Sequence, residues 1–422
     1  MNKIALLFPG QGTQYIGMGK FFYDNFSIAK QTLEEANDTL GFDLKDLCLN
    51  GNMEVLSLTE NTQPAVLAVS IAMYRVFWQE IGIEPNYLAG HSLGEITALT
   101  CAESISFPDA LKIVRERGRI MQNTVSSIDG TMLAVNGISQ EIIETECEKE
   151  RKNGKFVAIS NYNSSEQHVI SGHTRPILKI RDRLAKIGAN IIPLQVSAPF
   201  HCILMEIAAR IFENELSKYS FNILKWPVIS NVNAKLYTNH DVISNLVQQM
   251  VKPVQWQTSM QFLRDEGINI AIEIGPKSVL KNLMKNITHD ISAFSYDFES
   301  DRELISKLLS TASPSNQPNS ENLLKLIDRC LAIAVCTRNR NWNNEEYQKG
   351  VIDPYKKIQA LKLELEAGSQ KVTVNNAKKA LEMLCSVFIT KFTPHEEQVE
   401  RFKQIFSETG TDKLFPEFNI LD

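Results

Sequence analysis

Residues 90–94 read Gly-His-Ser-Leu-Gly, a serine with a glycine two positions away on either side. A short apolar stretch, Tyr87-Leu88-Ala89, precedes it, and an apolar helical pattern follows. A nucleophilic serine on a sharp strand-to-helix turn needs small neighbours, because the backbone there is crowded. The helix after it directs free N–H groups back toward the serine, where they can stabilise an oxyanion on an attacked carbonyl. The pattern therefore predicts a nucleophile at Ser92. The bare pentapeptide fits a loop equally well; the flanking strand and helix favour chemistry.

A serine hydroxyl needs a base, and the chain has seven histidines. His91 adjoins the serine, but neighbours on a tight turn point apart. His240, His289 and His395 lie in polar or terminal stretches, and His168 and His173 flank a strand end. His201 ends ValSerAlaProPheHis, where a predicted strand runs into a proline-bounded turn, a usual seat for functional groups. On residue type and position alone the choice among them stays open.

The elements that must position these groups alternate between strand and helix. Residues 3–8 (KIALLF) read as a buried strand leading into the turn ProGlyGlnGly at 9–12. Residues 64–78 are nearly all apolar and predict a core helix with Pro64 in its first turn. Helices continue to about residue 126. Strands are then predicted at 131–137, 156–160, 167–171 and 190–196, with a helix at 175–187, which reads as a small α+β insertion of ferredoxin-like type. A further buried strand is expected at 270–274, stopped by Gly275-Pro276.

Residues 311–320 have the polar, proline-containing composition of a linker. Beyond it, apolar residues recur at helical spacing: Leu323, Leu326, Ile327, Cys330, then Ala377, Ala380, Leu381, Leu384, Phe388. This part carries 15 Lys+Arg and 15 Asp+Glu, a balance that suits a helical bundle better than a charged tail. Cys330 and Cys336 are expected in its core.

The 422 residues are 43% hydrophobic and 22% charged, ordinary for a globular protein of two or three domains. A net charge of −5 argues against a general nucleic-acid binder. No apolar run reaches the roughly 18 residues of a membrane span, and the N-terminal apolar stretch is too short for a signal peptide. Seven scattered cysteines without a C-x-x-C pair fit reduced thiols and a cytoplasmic location. No metal-ligand cluster or phosphate-binding glycine loop is visible.

Residues 1–300 carry an ordered set of motifs: PheProGlyGlnGlyThrGln (8–14), AsnThrGlnProAla (61–65), GlyHisSerLeuGlyGlu (90–95), ArgGluArgGly (115–118), AsnTyrAsnSer (161–164), ValIleSerGly (169–172), SerAlaProPheHis (197–201), GlnGlnMetValLysProValGlnTrp (248–256) and GluIleGlyPro (273–276). Taken together, they resemble the malonyl-CoA:acyl-carrier-protein transacylases of fatty-acid synthesis and the acyltransferases of polyketide synthesis. The resemblance implies a fold: an α/β hydrolase-like core with a short parallel sheet (1–126 and 198–310), an inserted ferredoxin-like subdomain (127–197), a linker (311–320) and a helical extension (321–422).

It also implies roles. Ser92 carries the acyl group and His201 is the base, oriented by a main-chain carbonyl at Gln249. The N–H groups of Gln11 and Leu93 form the oxyanion hole. Arg117 holds the malonyl carboxylate, a task suited to a guanidinium's paired charge-assisted donors. Phe200 crowds an α-methyl branch and so selects malonyl. Gln63 and Met121 lie near the acyl pocket. The substrates are malonyl-CoA and a phosphopantetheinylated acyl carrier protein, with no metal or bound cofactor and no nucleic-acid or membrane partner. Lys277 stands where the family usually has glycine, and His168 where it usually has an apolar strand residue; neither is expected to touch the catalytic set. The extension suits a trans-acting enzyme of a polyketide pathway, docking a synthase or carrier protein, or else serves as a packing appendage. The competing readings are an acyl hydrolase that clears carrier proteins, which would not need Arg117, and a non-catalytic scaffold, which would not need Ser92 and His201. A general esterase would require an acidic partner that is not evident.

Overall fold

The structure, a computed structural model, describes residues 2–125, 129–152, 154–194, 198–310, 320–367, 372–415 and 418. The chain divides into two compact units, Met1–Ala312 and Ser313–Asp422.

In the first unit a five-stranded parallel sheet forms the centre. Its strands are β1 (Ile4–Phe8), β2 (Tyr87–Gly90), β7 (Val228–Ile229), β8 (Ile270–Glu273) and β9 (Ser292–Ser295), in the order β7-β2-β1-β8-β9. β1 pairs in parallel with β2 (Phe8 opposite Gly90) and with β8 (Leu6 opposite Ile272). Side chains alternate across a strand, so Ile4, Leu6 and Phe8 enter the main core while Ala5 and Leu7 enter a second one on the opposite face. Burial on both faces is why KIALLF shows no polar alternation. Strand β7 has only two residues, and β9 (SAFS) lacks the apolar run of β2 or β8, so neither left a pattern in the sequence.

Three helices matter for the site: α1 (Thr59–Glu80), α2 (Leu93–Cys101) and α3 (Phe107–Val125). α1 begins earlier than predicted, which places Pro64 inside it rather than in its first turn. Pro64 has no N–H to give the Glu60 carbonyl, but that bond lies only one turn from the helix start. α3 comes very close to α1 at Gly118, where a Cβ would stand 2.6 Å from the Thr59 carbonyl oxygen. Only glycine permits that approach.

The inserted α+β element is a four-stranded antiparallel sheet of β3 (Gly130–Asn136), β4 (Val157–Tyr162), β5 (Gln167–His173) and β6 (Asn190–Pro193), in the order β4-β5-β3-β6. With α4 (Gln140–Arg151) and α5 (Thr174–Lys186) the connectivity is βαββαβ, the ferredoxin-like pattern. Its own core joins Leu133, Val135, Ile143, Ile170, Ile177 and Leu184. His168 is buried within β5. The predicted strand at 190–196 is described only to Pro193; residues 195–197, including the serine of the 197–201 motif, lie outside the described residues.

The second unit is helical, with its own core of Leu323, Leu326, Ile327, Cys330, Ala380, Leu384, Phe388, Phe402 and Phe406, as the spacing predicts. Cys336 departs from expectation. It is the last residue of the helix Ser320–Cys336 and is exposed, because the apolar stripe has rotated away by that position. The predicted linker falls on residues 311–319, outside those described, while Ser320 already begins that helix.

Candidate active site

Ser92 sits between β2 and α2 with φ 52° and ψ −106°, a strained conformation for a residue with a side chain. The glycines around it are there for space. A Cβ on Gly90 would lie 1.9 Å from the Gly94 carbonyl, and one on Gly94 would lie 2.0 Å from the Phe8 carbonyl oxygen. Asn231 braces the turn from outside: its Oδ1 accepts from the Ser92 N–H at 2.7 Å, and its Nδ2 donates to the Gly90 carbonyl at 2.7 Å.

His201 also has a positive φ, 57°. Its Nε2 is 2.8 Å from Ser92 Oγ and its Nδ1 is 2.7 Å from the Gln249 carbonyl oxygen. A carbonyl only accepts, so Nδ1 carries the proton and Nε2 offers a lone pair to the hydroxyl. Burial, and after it the Arg117 charge, pushes the ring down to about 3, so it is neutral near pH 7. His91, the adjacent candidate, points elsewhere, with its Nε2 2.9 Å from Asn163 Oδ1.

Arg117, on α3, is 1% exposed. Its Nη1 donates to Gln63 Oε1 at 2.9 Å, and its Nη2 to Gln249 Oε1 at 2.8 Å. Nη2 also stands 3.4 Å from Ser92 Oγ. Its Nε has no acceptor among the described residues. Burial lowers this guanidinium to about 10, with Glu95 opposing the shift, so it stays charged at neutral pH. Gln63 is held in turn by Met121, whose Sδ is 3.4 Å from Gln63 Nε2.

Ser92, His201, Arg117, Gln63, Met121 and Gln249 therefore converge. Phe200 is buried in the main core in the position before His201. The loop bearing Gln11 lies against the Ser92 turn: a Cβ on Gly10 would be 2.5 Å from the His91 carbonyl oxygen. Neither the Gln11 nor the Leu93 N–H is spent on an acceptor among the described residues. Lys277 is nearer than expected. It has φ 66°, and its Nζ reaches the Gly12 carbonyl at 3.3 Å, beside Gln11.

Three participants were not foreseen. Glu95, fully buried on α2, accepts from Tyr237 Oη at 2.7 Å and from the Asn231 N–H at 2.8 Å through one oxygen, and from Gln249 Nε2 through the other. The sequence did carry a signal for Glu95, as the one charge in the apolar run LeuGlyGluIleThrAlaLeuThrCys. For Asn231 and Tyr237 it carried none, since their partners lie about 140 positions away.

A family model described as acyl transferase domain matches residues 5–307. A malonyl CoA-acyl carrier protein transacylase of Bacillus subtilis is 38% identical over 405 residues, spanning 96% of this chain and all of the relative. That of Escherichia coli K12 is 41% identical over 295 residues, 69% of this chain and 95% of the relative. Among solved structures, FabD from Acinetobacter baumannii superposes with a TM-score of 0.71 at 40% identity, covering 74% of this chain and 99% of that one. A type II polyketide acyl-carrier protein in complex with its malonyl-transacylase matches with a TM-score of 0.70 at 37% identity, covering 73% and 100%. With a serine, a carbonyl-oriented histidine and a buried arginine at one point of this fold, the chain belongs to the acyl transferase domain family, among the malonyl-CoA:acyl-carrier-protein transacylases.

Proposed function

We propose that the protein moves a malonyl group from malonyl-CoA to the phosphopantetheine thiol of an acyl carrier protein through an ester on Ser92. The observation that carries this reading is the 3.4 Å between Arg117 Nη2 and Ser92 Oγ, with His201 2.8 Å from the same oxygen. A fixed cation beside an activated hydroxyl suits an acyl group that ends in a carboxylate.

In the first half-reaction Ser92 Oγ attacks the thioester carbon while His201 Nε2 takes its proton. The carbonyl electron pair moves to oxygen, held by the Gln11 and Leu93 N–H groups. Collapse of this intermediate breaks the C–S bond, and the imidazolium returns the proton to the departing sulfur of CoA. The carrier thiol then attacks the ester and gives its proton to His201, which passes it to Ser92 Oγ as the ester C–O bond breaks. A malonyl carboxylate on Arg117 would also offset the charge that depresses His201, making the base stronger when the right acyl group is present. Phe200 is assigned to disfavour an α-methyl branch, and Gln63 and Met121 to hold Arg117. Serine, imidazole and guanidinium supply every proton and charge the exchange calls for, so no resident cofactor is assigned. The seven free thiols support a cytoplasmic location.

The test is intact mass spectrometry after mixing with malonyl-, methylmalonyl- and acetyl-CoA. The expected result is a malonyl adduct that Ser92→Ala abolishes, and an Arg117→Ala variant that loads malonyl about 100-fold more slowly. Unaltered malonyl loading by Arg117→Ala would refute the clamp. For residues 313–422 the reading is a docking unit for a synthase or carrier protein. Removing them and assaying several carriers tests it, since unchanged transfer to every carrier would eliminate docking.

A further inference from the structure

Glu95 bonds neither Ser92 Oγ nor His201, yet it bonds Gln249, the residue that meets both His201 and Arg117. Three donors converge on its carboxylate: Tyr237 Oη, the Asn231 N–H and Gln249 Nε2. An ionised carboxylate only accepts, whereas a glutamine side chain presents a donor end and an acceptor end. With Glu95 in place, the donor end of Gln249 must turn toward it and the acceptor end must turn away. That acceptor end, Oε1, is what receives Arg117 Nη2 at 2.8 Å. The same Nε2 also donates to the Ser92 carbonyl at 2.9 Å, tying this orientation to the nucleophile turn.

We propose that Glu95 is a positioning residue for acyl selectivity: it fixes the amide orientation of Gln249 and so sets a one-way hydrogen-bond chain from Arg117 through Gln249 to a buried negative charge. The chain aims the guanidinium at Ser92 and gives it a counter-charge one amide away, so the arginine can stay ionised in a dry site before any substrate carboxylate arrives. The Glu95 carboxylate never approaches the substrate. Removing its charge should therefore weaken capture of an acyl group that needs the arginine and spare one that does not. This rests on the reading of Arg117 as the malonyl clamp.

The experiment is competitive loading of the full-length protein with malonyl-CoA and acetyl-CoA, read as the ratio of the two Ser92 adducts by intact mass, with thermal melting run alongside. In Glu95→Gln the one remaining oxygen is claimed by Tyr237 Oη and the Asn231 N–H, so the new NH2 group faces the Gln249 NH2, and Gln249 flips and turns a donor toward Arg117. The expected result is a fall of about tenfold or more in the malonyl-to-acetyl ratio. Glu95→Asp, which keeps an acceptor-only group, should recover part of the ratio. Gln249→Met keeps the main-chain carbonyl for His201 but removes the amide, and should lower the ratio likewise; it serves if Glu95→Gln does not fold. A purely structural role would lower both adducts alike along with the melting temperature, and an unchanged ratio in folded Glu95→Gln or Gln249→Met overturns the proposal. If Arg117→Ala abolishes the preference while these variants keep it, the clamp stands and this inference alone fails. If Arg117→Ala keeps the preference, the clamp itself is wrong.

Discussion

The Gln249 carbonyl is free to hold His201 Nδ1 at 2.7 Å because the residue four positions later is Pro253. In a continuing helix that carbonyl would accept from the N–H of residue 253, and proline has none. The residue before a proline also favours extended backbone. Lys252 obeys, with φ −114° and ψ 152°, and the helix Val242–Val251 stops there. Pro253→Ala restores both an N–H and helical freedom at the site. The competing bond should slow Ser92 acylation about fivefold, the worth of one ordinary hydrogen bond. Single-turnover loading measures it.

The acid limb of the reaction follows from burial. His201 is pushed down to about 3, so its base form is present above that value and lost only as pH falls through it. Between about pH 3 and the ordinary histidine range the unfolded chain binds the proton that the folded chain refuses, so this group's contribution to stability declines as pH falls. Fluorophosphonate labelling of Ser92, which needs no substrate carboxylate, should therefore proceed at a rate nearly flat from pH 8 to pH 5. An inflection near 6.5 would show an ordinary, solvated imidazole.

Glu95 behaves in the opposite sense. Burial lifts it to about 7 against the hydrogen bonds from Tyr237, Asn231 and Gln249 and the charge of Arg117, the groups that face it. From its ordinary value up to about 7 the folded chain keeps a proton the unfolded chain has released, so stability from this group falls as pH rises through that window. Protonation of the oxygen that receives Gln249 Nε2 sets a donor against a donor. The malonyl-to-acetyl loading ratio should consequently drop as pH is lowered through about 7, and in Glu95→Gln the ratio should be low and insensitive to pH.

Gly94, in the Ser92 turn, can be set against Gly41, which ends the helix Ser27–Leu40. Gly94→Ala would force a Cβ to 2.0 Å from the Phe8 carbonyl oxygen, whereas Gly41, with φ 71°, has nothing within 4 Å of its would-be Cβ. The first should cost about 3 kcal/mol and abolish labelling of Ser92. Gly41→Ala should cost about 1 kcal/mol, for the left-handed backbone alone, and leave labelling intact. Urea denaturation and active-site labelling separate the two.

Phe200 offers a test of acyl shape. Phe200→Leu keeps an apolar side chain at this core position but removes the ring, so methylmalonyl loading relative to malonyl should rise about tenfold, the usual scale for one methyl in a hydrophobic pocket. Intact mass after competition between the two thioesters measures it. An unmoved ratio would leave Phe200 a packing residue only.

How much was written in the sequence depends on how local the cause is. The Ser92 turn was legible because its requirements fall within five residues: glycines where a Cβ would strike Gly94 and Phe8, an apolar strand before, an apolar helix after. The strands and second helix of the insertion and the second unit's core were legible because apolar residues repeat with the period of their element, whereas the insertion's first helix, Gln140–Arg151, was missed because its only apolar residues are Ile142, Ile143 and Cys147. Even the orienting carbonyl had a local mark in Pro253. Pro64 was misread because a helix boundary moves by several residues without disturbing its pattern, and Cys336 because it lies off the apolar stripe at the helix end. What the tertiary structure alone decided is which distant groups meet. His201 comes from 109 positions beyond Ser92, Gln249 from a further 48, and Glu95 finds Tyr237 at 142. Apart from Glu95, the one charge in an apolar helix, each is an ordinary polar residue in its own neighbourhood. It becomes part of a site only when the sheet and helices bury it beside partners that replace the water it has lost.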